Sequence, residues 1–130
     1  MQTPVFTFTD EVCPRDADEV VARISAGLNS RQDLFSQLAD QLAFPDYFGR
    51  NWDALYDLLR DFSWLREHTI RIVHADCPEL ESERQRRMYL DVLKDAVLDW
   101  KPGEEHTLRV TFPLHAQGVV TALLSERPIS

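Results

Sequence analysis

The chain has 130 residues, about the size of one compact domain, and residues 1–130 are read as a single domain. Its 14 Lys and Arg stand against 22 Asp and Glu, a formal net charge of −8, which argues against the basic footprint of a nucleic-acid binder and favours a basic partner. No apolar run approaches membrane-spanning length, none follows a basic segment at the N-terminus, and Cys13 and Cys77 have no paired-ligand spacing; together these read as a reduced, cytoplasmic chain.

In chain order, the alternation around Phe6, Thr7 and Phe8 predicts a half-buried strand over residues 4–8. Asp10 to Asp18, with Pro14 and several charges, reads as the loosest region. Residues 19–25, EVVARIS, fit a strand or a short helix, and strand is the preferred reading. Asn29 and Ser30 are helix-start residues, and Leu34, Phe35, Leu38 and Leu42 recur at helical spacing until Pro45 forces a stop at or before Phe44. Asn51 caps a second helix whose apolar stripe is Trp52, Leu55, Leu58, Leu59 and Phe62. TIRIVHA, residues 69–75, is a buried strand; a long helix follows from about Glu81 to Asp99, with Tyr89, Leu90, Leu93, Val97 and Trp100 inward, ended by Pro102 and Gly103. TLRVTF, residues 107–112, is a further strand, and AQGVVTALL, residues 116–124, a closing helix weakened by Gly118. Strands alternating with helices imply an α/β fold with a parallel sheet and right-handed crossovers.

The helix after Asn51 raises the functional question. Asp53, Tyr56, Asp57 and Arg60 cluster opposite its apolar stripe, on the exposed side. Like charges four residues apart cost a few tenths of a kcal/mol, so Asp53 and Asp57 do not favour the helix as a pair. The turn before it is shaped by Pro45, Gly49 and Asn51, with Gly49 free to take a left-handed conformation. Of Tyr47 and Phe48, one is buried and one faces out; an exposed tyrosine beside two carboxylates has the composition of an interface for a cationic surface. A plain solvated helix face has the same composition.

The run LAFPDYFGRNWDALYDLL, residues 42–59, resembles the barstar family of ribonuclease inhibitors at Pro45, Tyr47, Phe48, Gly49, Asn51, Asp53, Ala54 and Leu55. A looser resemblance extends over residues 19–112. It implies a small three-layer α/β fold with a parallel three-stranded core sheet and flanking helices, to which this chain adds an N-terminal strand and a C-terminal helix. In that family the motif helix and its turn plug the cationic active site of a secreted bacterial ribonuclease, an aspartate taking the place of substrate phosphate. The resemblance carries that aspartate onto Asp57, further contacts onto Tyr47, Gly49, Asn51 and Asp53, and, through YLDVLKDAV, an acidic contact onto Asp95. Tyr56 stands where the family has tryptophan, and is counted with the partner-binding residues. Phe62 is the nearest match to a second tryptophan. Arg50 replaces an acidic residue, and with Arg60 it would oppose a basic nuclease. An immunity protein or antitoxin of the same fold, directed at a different toxin, therefore stands beside the ribonuclease inhibitor.

Other constellations point to structure. His74, Asp76 and Cys77 lack the number and spacing of zinc ligands. No base is evident for either cysteine, and no cofactor motif is present. His68, His106 and His115 fall near element ends, where capping or solvent exposure is the expectation. Trp52, Trp64 and Trp100 read as core or rim, and ERQRR, residues 83–87, as a solvated helix start. A remote enzyme reading would have Asp53, Asp57 and Asp95 converge as metal ligands or as an acid/base pair.

Overall fold

A computed structural model describes residues 5–11 and 17–125; Cys13, Pro14 and the middle of the Asp10–Asp18 segment lie outside the described residues. The elements are β1 (Thr7–Phe8), β2 (Glu19–Ile24), α1 (Arg31–Leu42), α2 (Trp52–Leu59), β3 (Thr69–His74), α3 (Glu83–Asp99), β4 (Thr107–Phe112) and, after a 3-10 turn at Leu114–Ala116, α4 (Gln117–Ser125). Each of the first three helices starts on a side chain that accepts an otherwise orphaned N–H: Ser30 from Asp33, Asn51 from Ala54 and Ser82 from Gln85. Helix α1 ends as Pro45 requires, with Ala43 left-handed at φ 54° and its N–H returned to Ala39.

All strand pairs are parallel, in the order β1-β4-β3-β2. The ambiguous segment at 19–25 is a strand, paired along its full length with β3. Of the strand expected over 4–8, position 4 lies outside the described residues, and within 5–8 only Thr7 and Phe8 pair, with Thr111 and Phe112.

Register puts even-numbered residues of the long strands on one face. Ala22, Ile24, Ile70, Ile72, Leu108, Val110 and Phe112 share a single cluster with Leu34, Phe35, Leu38, Leu55, Leu59, Tyr89 and Leu93 from the helices. The chain moves from β2 to β3 to β4 in one direction across the sheet, and right-handed crossovers taken in one direction place α1, α2 and α3 on the same face. Helix α4 joins the same cluster through Val120 and Leu123. The layers are therefore unequal. Helices cover the even face, while on the odd face Thr9, Asp10 and Glu11 border a hollow together with Val21, Arg23, Arg71 and Val73.

Two polar expectations are corrected. His106 is neither exposed nor a cap: it is buried, Nδ1 bonds the Glu67 carbonyl at 2.8 Å, and its ring meets Phe62 and Trp100 edge-on. Within ERQRR, Arg86 is not merely solvated; it donates to the Pro78 and Cys77 carbonyls at 3.1 and 3.2 Å and fastens the loop entering α3. Among the described residues, no helix is long and apolar enough to cross a membrane, and no three His, Cys, Asp or Glu side chains converge to hold a metal.

Candidate functional site: an acidic face on two helices

The turn from α1 to α2 is held from below by aromatic rings. Phe48 is half-buried and meets Phe35 and Phe44 edge-on, with centroids 5.6 and 5.0 Å away, and its N–H closes a turn onto the Pro45 carbonyl at 3.1 Å. Tyr47 is left 72% exposed. The left-handed residue is Arg50, at φ 54°, and not Gly49 as expected. Glycine at position 49 answers a different need, close approach: a Cβ there would lie 3.3 Å from the Asn51 Nδ2 and 3.5 Å from the Ala54 Cβ.

Arg50, exposed beside the turn, is tied to the neighbouring helix. Its guanidinium turns back onto α1 and donates to the Gln32 side chain and carbonyl, both at 2.9 Å, and to the Ser36 hydroxyl at 2.7 Å. These bonds hold a non-glycine residue in a left-handed conformation that costs about 1 kcal/mol. Arg50→Ala should therefore lower stability by about 1–2 kcal/mol, and Arg50→Gly by less, because glycine relieves the backbone cost. Urea unfolding midpoints of the two variants test the order; Arg50→Gly less stable than Arg50→Ala would refute it.

Helix α2 buries Trp52, Leu55, Leu58 and Leu59 as its spacing requires and leaves Asp53 and Asp57 exposed. It is tied to α3 by the Trp52 Nε1–H, which donates to Gln85 at 2.8 Å, and by the Tyr56 hydroxyl, which donates to the Asp99 carboxylate. Tyr56 is thus half-buried between the helices and not simply exposed. Its phenol pKa is raised, first by the bond to Asp99, then by burial and by the charges of Asp99 and Asp95, with Arg60 opposing. Arg60 is half-buried too: its guanidinium lies 4.2 Å over the Trp100 ring and 3.7 Å from Glu104, and Trp100 is pinned by its own N–H to the Leu59 carbonyl at 2.8 Å.

The structure thus sets Tyr47, Gly49, Asn51, Asp53, Tyr56 and Asp57 on the turn and α2, beside Asp95 and Asp99 of α3. Gly49 and Asn51 are backbone devices: Asn51 accepts the Ala54 N–H at 2.8 Å and donates to the Gly49 carbonyl at 3.3 Å. Among the described residues, Asp53, Asp57 and Asp95 have no side-chain hydrogen bond or ion pair, and all three are exposed. Such a face offers charge-assisted acceptors to arginine and lysine. Asp99 was missed by sequence reading. Its position four residues after Asp95 was the available signal, whereas its pairing with Tyr56 depends on how α2 and α3 pack.

No curated protein matches the chain. A family does match, over residues 19–113, from the start of β2 through β4. That span contains every residue of the acidic face, so the chain belongs to the Barstar family, described as barstar (barnase inhibitor).

Proposed function

We propose that this chain is a cytoplasmic inhibitor of a ribonuclease, without catalytic activity of its own, that seats α2 and the preceding turn in the enzyme's cationic active site with Asp57 in the place of substrate phosphate. The family is one of ribonuclease inhibitors, which supports the class of partner. The observation that carries the reading is the exposed Asp57 carboxylate, free of internal hydrogen bonds and ion pairs among the described residues and flanked by Asp53 and Asp95 on a capped, cross-tied pair of helices. A ready-made anionic surface loses little on ordering when it binds.

Arg60, held over Trp100 near this face, favours a second reading, an immunity protein or antitoxin against a different basic toxin, because the partner must also accommodate a cation. Titration against basic ribonucleases, barnase included, and against basic toxin domains at low and high salt separates the two. The inhibitor reading expects tight association with a ribonuclease whose on-rate falls steeply with salt. Binding to a toxin that is not a ribonuclease, with no ribonuclease bound, selects the second reading; no tight partner in either set refutes both.

A further inference from the structure

The odd-numbered face of the sheet, away from α2 and α3, is polar in an unusual way for this acidic chain. Its nine positions on β2, β3 and β4 are Glu19, Val21, Arg23, Thr69, Arg71, Val73, Thr107, Arg109 and Thr111. The one acid, Glu19, is buried and bound to Arg71 Nε at 2.8 Å. Three arginines remain in a protein whose net charge is −8. Arg71 and Arg109 are direct partners across β3 and β4, and Arg23 lies diagonal to Arg71 across β2 and β3. Like charges facing one another on neighbouring strands are destabilising, and strand spacing brings their stems within about 5 Å. Among the described residues, the Arg23 and Arg109 side chains have no hydrogen-bond or ion-pair partner.

Beside these arginines is a hollow of about 190 Å³ lined by Val21, Arg23, Arg71, Val73 and Thr111, with Asp10 and Glu11 at its rim. Val21 and Val73 give it an apolar floor. Thr111 is only 6% exposed, and its hydroxyl, on this face, has no hydrogen-bond partner among the described residues. A buried hydroxyl without a partner carries a desolvation cost that a bound acceptor would offset. Of the two acids at the rim, Asp10 accepts the Leu114 N–H at 3.0 Å, and Glu11 is exposed. The hollow lies toward the carboxyl ends of the strands, where ligands of open α/β sheets bind.

We propose that this odd-numbered sheet face binds a small organic or inorganic polyanion, its phosphate or carboxylate groups held by Arg23, Arg71 and Arg109 and its nearest oxygen accepting the Thr111 hydroxyl. Arginine forks match both kinds of group. The site lies on the opposite side of the sheet from the acidic face and does not depend on the inhibitor reading.

The test is a titration of the full chain with pyrophosphate and with citrate, followed by calorimetry and by backbone amide shifts. Saturable binding with shifts at Val21, Arg23, Val73 and Thr111 is expected, and preference for one probe tells phosphate from carboxylate. Arg23→Gln with Arg109→Gln, both exposed positions, should weaken binding about tenfold or more, whereas Arg84→Gln, an exposed arginine on α3, should not. Arg71 is left intact because it partners the buried Glu19. Shifts that never saturate, that fall elsewhere, or that survive the double substitution overturn the proposal.

Discussion

Asp57→Ala should weaken the complex with the cognate ribonuclease by about 4 kcal/mol or more, roughly a thousandfold in Kd, while leaving the fold intact. The size follows from what truncation leaves behind. A carboxylate seated among arginine and lysine side chains compensates their desolvation; its removal strands those cations in a closed interface without a counter-charge. Nothing comparable is lost in the free protein, because Asp57 is exposed and has no side-chain hydrogen bond or ion pair among the described residues. Removing a like charge four residues from Asp53 should instead stabilise α2 by a few tenths of a kcal/mol. A side chain whose deletion favours folding and disfavours binding is present for the partner. Tyr47→Ala, Asp53→Ala and Asp95→Ala, toward the rim of the face, should each cost about 1–2 kcal/mol. Surface-plasmon or stopped-flow measurements should place most of the Asp57 effect in the dissociation rate. If Asp57→Ala binds within twofold of the parent, another residue is the anchor.

The second large effect is on stability against pH, and it resides in His74. This side chain is fully buried, with its ring stacked 4.2 Å from that of Phe112. Nδ1 lies 3.1 Å from the Thr111 carbonyl and Nε2 2.6 Å from the Tyr89 hydroxyl. A carbonyl only accepts, so Nδ1 carries the proton, and Nε2 accepts the Tyr89 O–H. Burial holds the Tyr89 phenol pKa well above 10, so that O–H persists. Protonating Nε2 would place an unbalanced charge in the core and deprive Tyr89 of its acceptor, and burial accordingly lowers the His74 pKa from 6.5 to about 4. Between these values the unfolded chain binds a proton that the folded chain does not. Stability is therefore complete above about pH 6.5 and is lost progressively as pH falls to about 4, by about 3 kcal/mol from this residue. Urea midpoints at pH 7 and pH 4.5 measure the loss, and His74→Gln, which removes the titrating group, should flatten the dependence. An equal slope in both proteins would exclude His74 as its source.

The local signals proved sufficient wherever one short segment determined the outcome. Ser30 and Asn51 begin helices because their side chains satisfy N–H groups three residues ahead, and Pro45 ends α1 wherever that helix is placed. The stripe of Trp52, Leu55 and Leu59 faces inward by helical period alone, which leaves Asp53 and Asp57 outward. The motif at residues 42–59 marked the family because its glycine, asparagine and aromatics together define one turn. A segment whose periodicity was ambiguous needed a partner: Glu19–Ile24 is a strand because β3 pairs with it along its length.

Only tertiary packing decided the rest. Which groups hold Arg50 and Arg60 could not be read locally: Gln32 and Ser36 bind the one, and Trp100 and Glu104 meet the other. Tyr56 meets Asp99, and His106 is buried, because helices and loops distant in sequence are pressed together there. The arginines of the odd-numbered sheet face are separated by tens of residues and become neighbours only through strand register. Side-chain period reports which face of its own element a residue occupies; what meets that face is determined by the packing of the whole chain.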